Sequence, residues 1–120
     1  MKRDFDLIRS ILLQIEAAPA GTFPQSFTMP EGVSPQNLVE HLQLMIEQGL
    51  IEGEVYSVSE CSFDIQKLTW AGHDFLDAAR NDTVWNSAKE KLISVGGSAS
   101  LEILKALLVQ TAKQLLGLPP

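Results

Sequence analysis

The string HLQLMIEQGLIEGE, residues 41–54, constrains the fold more than any other part of the chain. Leu38, Val39, Leu42, Met45 and Ile46 lead into it or lie within it. At 100° per residue they share roughly a third of the helical circle, the apolar stripe of a packed helix. Gly49 follows where a left-handed cap residue costs least, and Leu50 and Ile51 then open an extended run. Upstream, Ser34–Pro35 supplies a hydroxyl N-cap and a proline at the first helical position, where its missing N–H is no loss. The spacing predicts a helix from Pro35, a sharp stop at Gly49 and a strand beyond it.

The same reasoning extends to both sides. Asp4 or Asp6 can cap a first helix running to about Ala17, with Phe5, Leu7, Ile8, Ile11, Leu12 and Ile15 on its core side. Three prolines and two glycines in APAGTFPQSFTMPEG, residues 18–32, forbid a long helix there, and SFTM is a candidate short strand. Ile51, Val55, Tyr56 and Val58, then Phe63, Ile65 and Leu68, suit two strands joined at SVSEC. Thr69 can cap a helix from Trp70 to Arg80, and Asp82 another through Trp85, Ala88, Leu92 and Ile93, with Trp70 and Trp85 as core anchors. VGGSAS reads as a hinge at Gly96–Gly97 before a last helix, Leu101 to Leu116. Helix, corner, hairpin, helix is the order of a winged-helix core without its middle helix. The expected class is therefore α+β, mainly α: a winged-helix-like domain over 1–95, and a hinge with an apolar oligomerisation helix over 96–120.

Charge limits what this fold can do. The chain carries a net charge of −6, and from Glu31 to Asp64 seven acids occur without one lysine or arginine. A winged helix touches DNA with that segment, and phosphate neutralisation by Lys and Arg supplies most non-specific affinity, so DNA binding is disfavoured. The acids read as a solvated surface, as a face for a basic partner, or as mimicry of nucleic-acid charge. Along the exposed side of the Pro35 helix run Glu40, His41, Gln43, Leu44, Glu47 and Gln48. Leu44 stands alone among polar neighbours there, which marks Glu40, Gln43, Leu44 and Glu47 as candidate partner contacts. The last helix spreads leucines over about half its circumference, so it either folds back on its own domain or pairs with another chain, and for the second case Leu101, Leu104, Leu108 and Leu115 are candidate contacts for self-association.

Catalysis finds no support in the residues. His41, His73, Cys61 and Asp64 could be assembled as zinc ligands, but no pair has ligand spacing within one element. Cys61 sits beside Glu60 and near Asp64, acids that oppose a thiolate. GGSAS lacks the lysine and the preceding strand of a phosphate loop. The expectation is no enzyme, no metal and no cofactor. A lone cysteine, no signal-peptide pattern and no long apolar run fit a cytoplasmic protein that does not enter the membrane.

Three strings, MKRDFDLIR, EHLQLMIEQGLI and LTWAGHDFLDAARNDTVW, together resemble a family of small bacterial and phage-encoded proteins known only as a domain of unknown function. The resemblance covers Met1 to about Lys91. It implies a winged-helix-like fold and a prophage or mobile-element setting, and it carries over no functional residue. The combined expectation is a non-enzymatic module that binds a protein partner or itself through an acidic helix-and-wing face and its last helix. A winged-helix DNA-binding regulator is the alternative.

Overall fold

The computed structural model describes residues 1–22, 24–94 and 100–119. Among them are five helices and one antiparallel two-stranded sheet: α1 (Phe5–Ala17), α2 (Pro35–Glu47), β1 (Ile51–Ser57), β2 (Ser62–Leu68), α3 (Trp70–Ala79), α4 (Asp82–Ser94) and α5 (Leu101–Leu115). The fold is α+β and mainly α. It divides into two compact units, Met1–His73 and Asp74–Pro120. Gly96 and Gly97, the expected hinge, lie outside the described residues.

In the first unit α1 packs on α2 and β2, and α2 packs on β1. Their apolar stripes bury Leu7, Ile11 and Leu12 from α1, Leu38, Leu42 and Met45 from α2, and Ile51 and Ile65 from the hairpin. The helix starts follow their caps: the Asp4 carboxylate accepts from Leu7 N–H, and the Ser34 hydroxyl accepts from Asn37 N–H. At the far end of α2, Gly49 has φ +80°. Leu50 N–H donates to Met45 C=O at 2.9 Å and Gly49 N–H to Ile46 C=O at 3.0 Å, the paired bonds of a Schellman stop.

The hairpin is not a regular ladder. Its register skips Gln66 between the Glu52–Lys67 and Gly53–Ile65 pairs, and skips Tyr56 between Val55–Phe63 and Ser57–Ser62. Each skipped residue is a bulge. The one at Gln66 turns both Ile65 and Leu68 inward, three residues apart, where strict alternation would put them on opposite faces.

SFTM is not a strand, and no helix forms among the described residues of 18–34. Both backbone groups of Thr28 are instead taken by the Gln14 side-chain amide of α1: Thr28 N–H donates to Gln14 Oε1 at 2.8 Å, and Gln14 Nε2 donates to Thr28 C=O at 3.0 Å. Phe27 then stacks near Phe63, ring centroids 6.0 Å apart.

The second unit is built on α4 and α5, which lie side by side. Phe75 meets Trp85 edge to face, centroids 6.5 Å apart, and Val84, Ala88 and Leu92 are buried in the same unit. Leu104 and Leu108, expected on a partner surface, are fully buried, so they serve this unit's own core. Lys91 fastens the two helices, donating to Thr111 Oγ1 and Gln114 Oε1 at 3.1 Å each. The α4 cap is Asn81, whose side chain accepts from Val84 N–H, one residue earlier than expected.

Candidate functional site

The corner between α2 and β1 positions the rest of the first unit's surface. Thr69 N–H donates to Leu50 C=O at 3.0 Å, the Thr69 hydroxyl donates to Gly49 C=O, and that hydroxyl accepts from Gly72 N–H at 3.0 Å. Gly72 is required by contact: a Cβ there would stand 2.0 Å from the Leu50 carbonyl oxygen. The LTWAGH string is thus a clasp that closes α3 onto the glycine stop of α2. Trp70, expected as a core anchor, is 85% exposed because the clasp turns the first residue of α3 outward, whereas Trp85 is buried as expected.

Among the α2 candidates, Gln43 and Glu47 are exposed, and Glu40 and Leu44 are half-buried. His41, expected on the same exposed side, is fully buried. Its Nε2 accepts from Asp4 N–H at 2.9 Å and its Nδ1 donates to Asn37 C=O at 2.8 Å. Accepting at Nε2 places the proton on Nδ1, so both ring nitrogens are committed to holding the start of α1 against α2. His73 is exposed, and Cys61 takes φ +53° in the hairpin turn. No three His, Cys, Asp or Glu side chains group as metal ligands among the described residues.

The outward face of β1 carries Glu52, Glu54 and Tyr56, all exposed by the two-residue alternation. Glu52 lies opposite Lys67, 3.9 Å away, an exposed pair that adds little stability. Glu54 lies opposite Asp64. Like charges in that relation are destabilising, and Asp64 also accepts from Gln25 at 3.0 Å. The field acts on the neighbouring phenol. The Glu54 carboxylate raises the Tyr56 pKa above its ordinary 10.0, aided by partial desolvation, by Asp64 and by a hydrogen bond to Glu54. In the sequence Tyr56 is marked only as a strand residue, and its place at a bulge beside two carboxylates has no local signal.

Leu101 is half-buried and Leu115 exposed. Leu115 shares the side of Leu104 and Leu108 but is the last residue of α5, and Ile103 and Val109 are exposed on other sides of the helix.

A family model described as a hypothetical protein, DUF2513, matches residues 2–98. The chain belongs to that family. This DUF2513 chain is also 41% identical over 120 residues to an uncharacterized protein of Haemophilus influenzae (strain ATCC 51907 / DSM 11121 / KW20 / Rd), covering 97% of this chain and 99% of that one. No solved structure matches it. The family resemblance drawn from the three strings is thus shown, and neither relationship brings an activity. No helix is long and apolar enough to cross a membrane among the described residues.

Proposed function

We propose that this protein works by binding a basic protein partner rather than by catalysis, and that the outward hairpin face around Tyr56 is the contact. One observation carries this reading: Glu54 and Asp64 oppose each other across the ladder beside an exposed tyrosine, within a stretch that contains no lysine or arginine. A lysine or arginine from a partner would relieve that repulsion, and Tyr is enriched where interfaces concentrate their energy. Glu40, Gln43, Leu44 and Glu47 of α2 and the exposed Trp70 supply further contact candidates from the same unit. A prophage setting and a cytoplasmic location belong to the same proposal.

A DNA-binding winged helix is the second reading, favoured by the order of α1, α2, hairpin and α3. Its difficulty is chemical, since α2 offers phosphate no cation. The test is affinity capture from lysate with wild-type, Tyr56→Ala and Glu54→Lys chains, beside a duplex-DNA mobility shift at low salt. The expected result is a basic protein retained by wild type, lost with either variant, and no shift of DNA. Salt-sensitive DNA retardation with no variant-dependent capture would overturn the proposal.

A further inference from the structure

The outward face of α5 has a symmetry that its own unit does not use. Glu102, Lys105, Ala106, Val109, Gln110 and Lys113 are all exposed and line one open groove of about 560 Å³. At 100° per residue they share one side of the helix, away from the buried Leu104, Leu108 and Thr111. Reversing the helix end for end about a point between Leu107 and Leu108 maps this set onto itself. Glu102 exchanges with Lys113, Lys105 with Gln110, and Ala106 with Val109.

We infer that this face binds a second copy of the chain, the two α5 helices packing antiparallel about a two-fold axis. Such an isologous contact repeats each pairing twice. The Glu102 carboxylate of one copy meets the Lys113 ammonium of the other at both ends of the seam. Lys105 meets the amide of Gln110, a neutral acceptor. Ala106 and Val109 face each other at the centre, where the small side chain admits close approach of the helices. Antiparallel packing also sets the two helix dipoles in opposition. Parallel packing would place Glu102 on Glu102 and Lys113 on Lys113, so the charge pattern selects the orientation as well as the partner. A 15-residue helix is about 22 Å long, a short seam, so the dimer dissociates on dilution in roughly the micromolar range. The proposal does not use the hairpin and stands or falls apart from the binding of a basic partner.

Sedimentation velocity of the full-length chain over a concentration series tests it. Wild type is expected to show a monomer–dimer equilibrium. Glu102→Lys alone and Lys113→Glu alone each bring two like-charge contacts into the seam and should raise the dimer Kd by about tenfold or more. An equimolar mixture of the two single variants restores complementary pairs at both ends and should recover near-wild-type association, as should the double variant within one chain. An unchanged far-ultraviolet circular dichroism spectrum and a cooperative melt confirm that these exposed substitutions leave the fold intact, although each opposes the α5 dipole and lowers Tm slightly. A wild-type chain that is monomeric up to its solubility limit overturns the inference. So do single reversals that dimerise as wild type does, or a mixture that associates no better than its components. Basic-partner capture that persists in Glu102→Lys while the dimer is lost separates the two surfaces.

Discussion

Tyr56 sits where β1 gains its unpaired residue, and its phenol faces Glu54 along the strand. It is the sole tyrosine of the chain, so ultraviolet absorbance of tyrosinate reports it alone. Its folded pKa lies above the unfolded 10.0, chiefly through the Glu54 carboxylate. The folded chain therefore holds a proton that the unfolded chain has already released. This contribution to stability is complete below pH 10 and is lost as pH rises through the folded value. The titration midpoint in native buffer should lie above that in denaturant, and Glu54→Gln should return it most of the way, Asp64→Asn less. A native midpoint equal to the denatured one would remove the electrostatic picture of this face. Single residues were also the hardest feature to read from sequence. His41 lies three residues after Leu38 and four before Met45, at the margin of the buried stripe, and the backbone N–H of Asp4, 37 residues earlier, gives its ring a partner there that no local pattern announces. Trp70 has the composition of a core residue and the position of an exposed one.

Elements were legible where their signals are local. The Asp4 and Ser34 caps, the glycine stop at Gly49 and the hairpin turn each follow from side chains within a few residues of the feature. The bulges at Gln66 and Tyr56 depend on cross-strand pairing, and the extended segment at Thr28 on an amide from α1. Neither leaves a mark in periodicity. The Thr69–Gly72 clasp belongs to this scale because it joins three elements through two backbone carbonyls. Gly72→Ala would drive a methyl to 2.0 Å from the Leu50 oxygen, a backbone atom with no rotamer to yield. The corner must open, at the expense of the Thr69 bonds to Leu50 and Gly49. Overpacking of this kind costs about 3 kcal/mol, a fall in Tm on the order of 10 °C or more for a domain of this size. Ala71→Gly, one residue away on the exposed side, should cost about 1 kcal/mol or less. Equal melting temperatures for the two variants would show that the clasp does not bear on stability.

At the scale of the molecule, each of the two units has its own apolar interior. The wheel of α5 showed that the helix was too apolar to stand in water but not which surface covers it. An arm that reaches a neighbouring copy would leave the rest of the chain folded without it, whereas a helix folded back on its own domain would not. The burial of Leu104 and Leu108 beside α4 fits the second case. Each leucine contributes about 1.5–3 kcal/mol by leaving water, and removal of α5 also takes the Thr111 and Gln114 partners of Lys91. Most of a small unit's stability goes with them, since domains hold only about 5–15 kcal/mol in total. A chain ending at Ser94 should therefore lose the second unit. Trp85 reports the loss: in a Trp70→Phe background its emission should shift from that of a buried to that of a solvated indole. Amide hydrogen exchange should quicken throughout Asp82–Ser94 while α1, α2 and the hairpin keep their protection. Retained blue emission and protected α4 amides would return α5 to the role of a detachable arm.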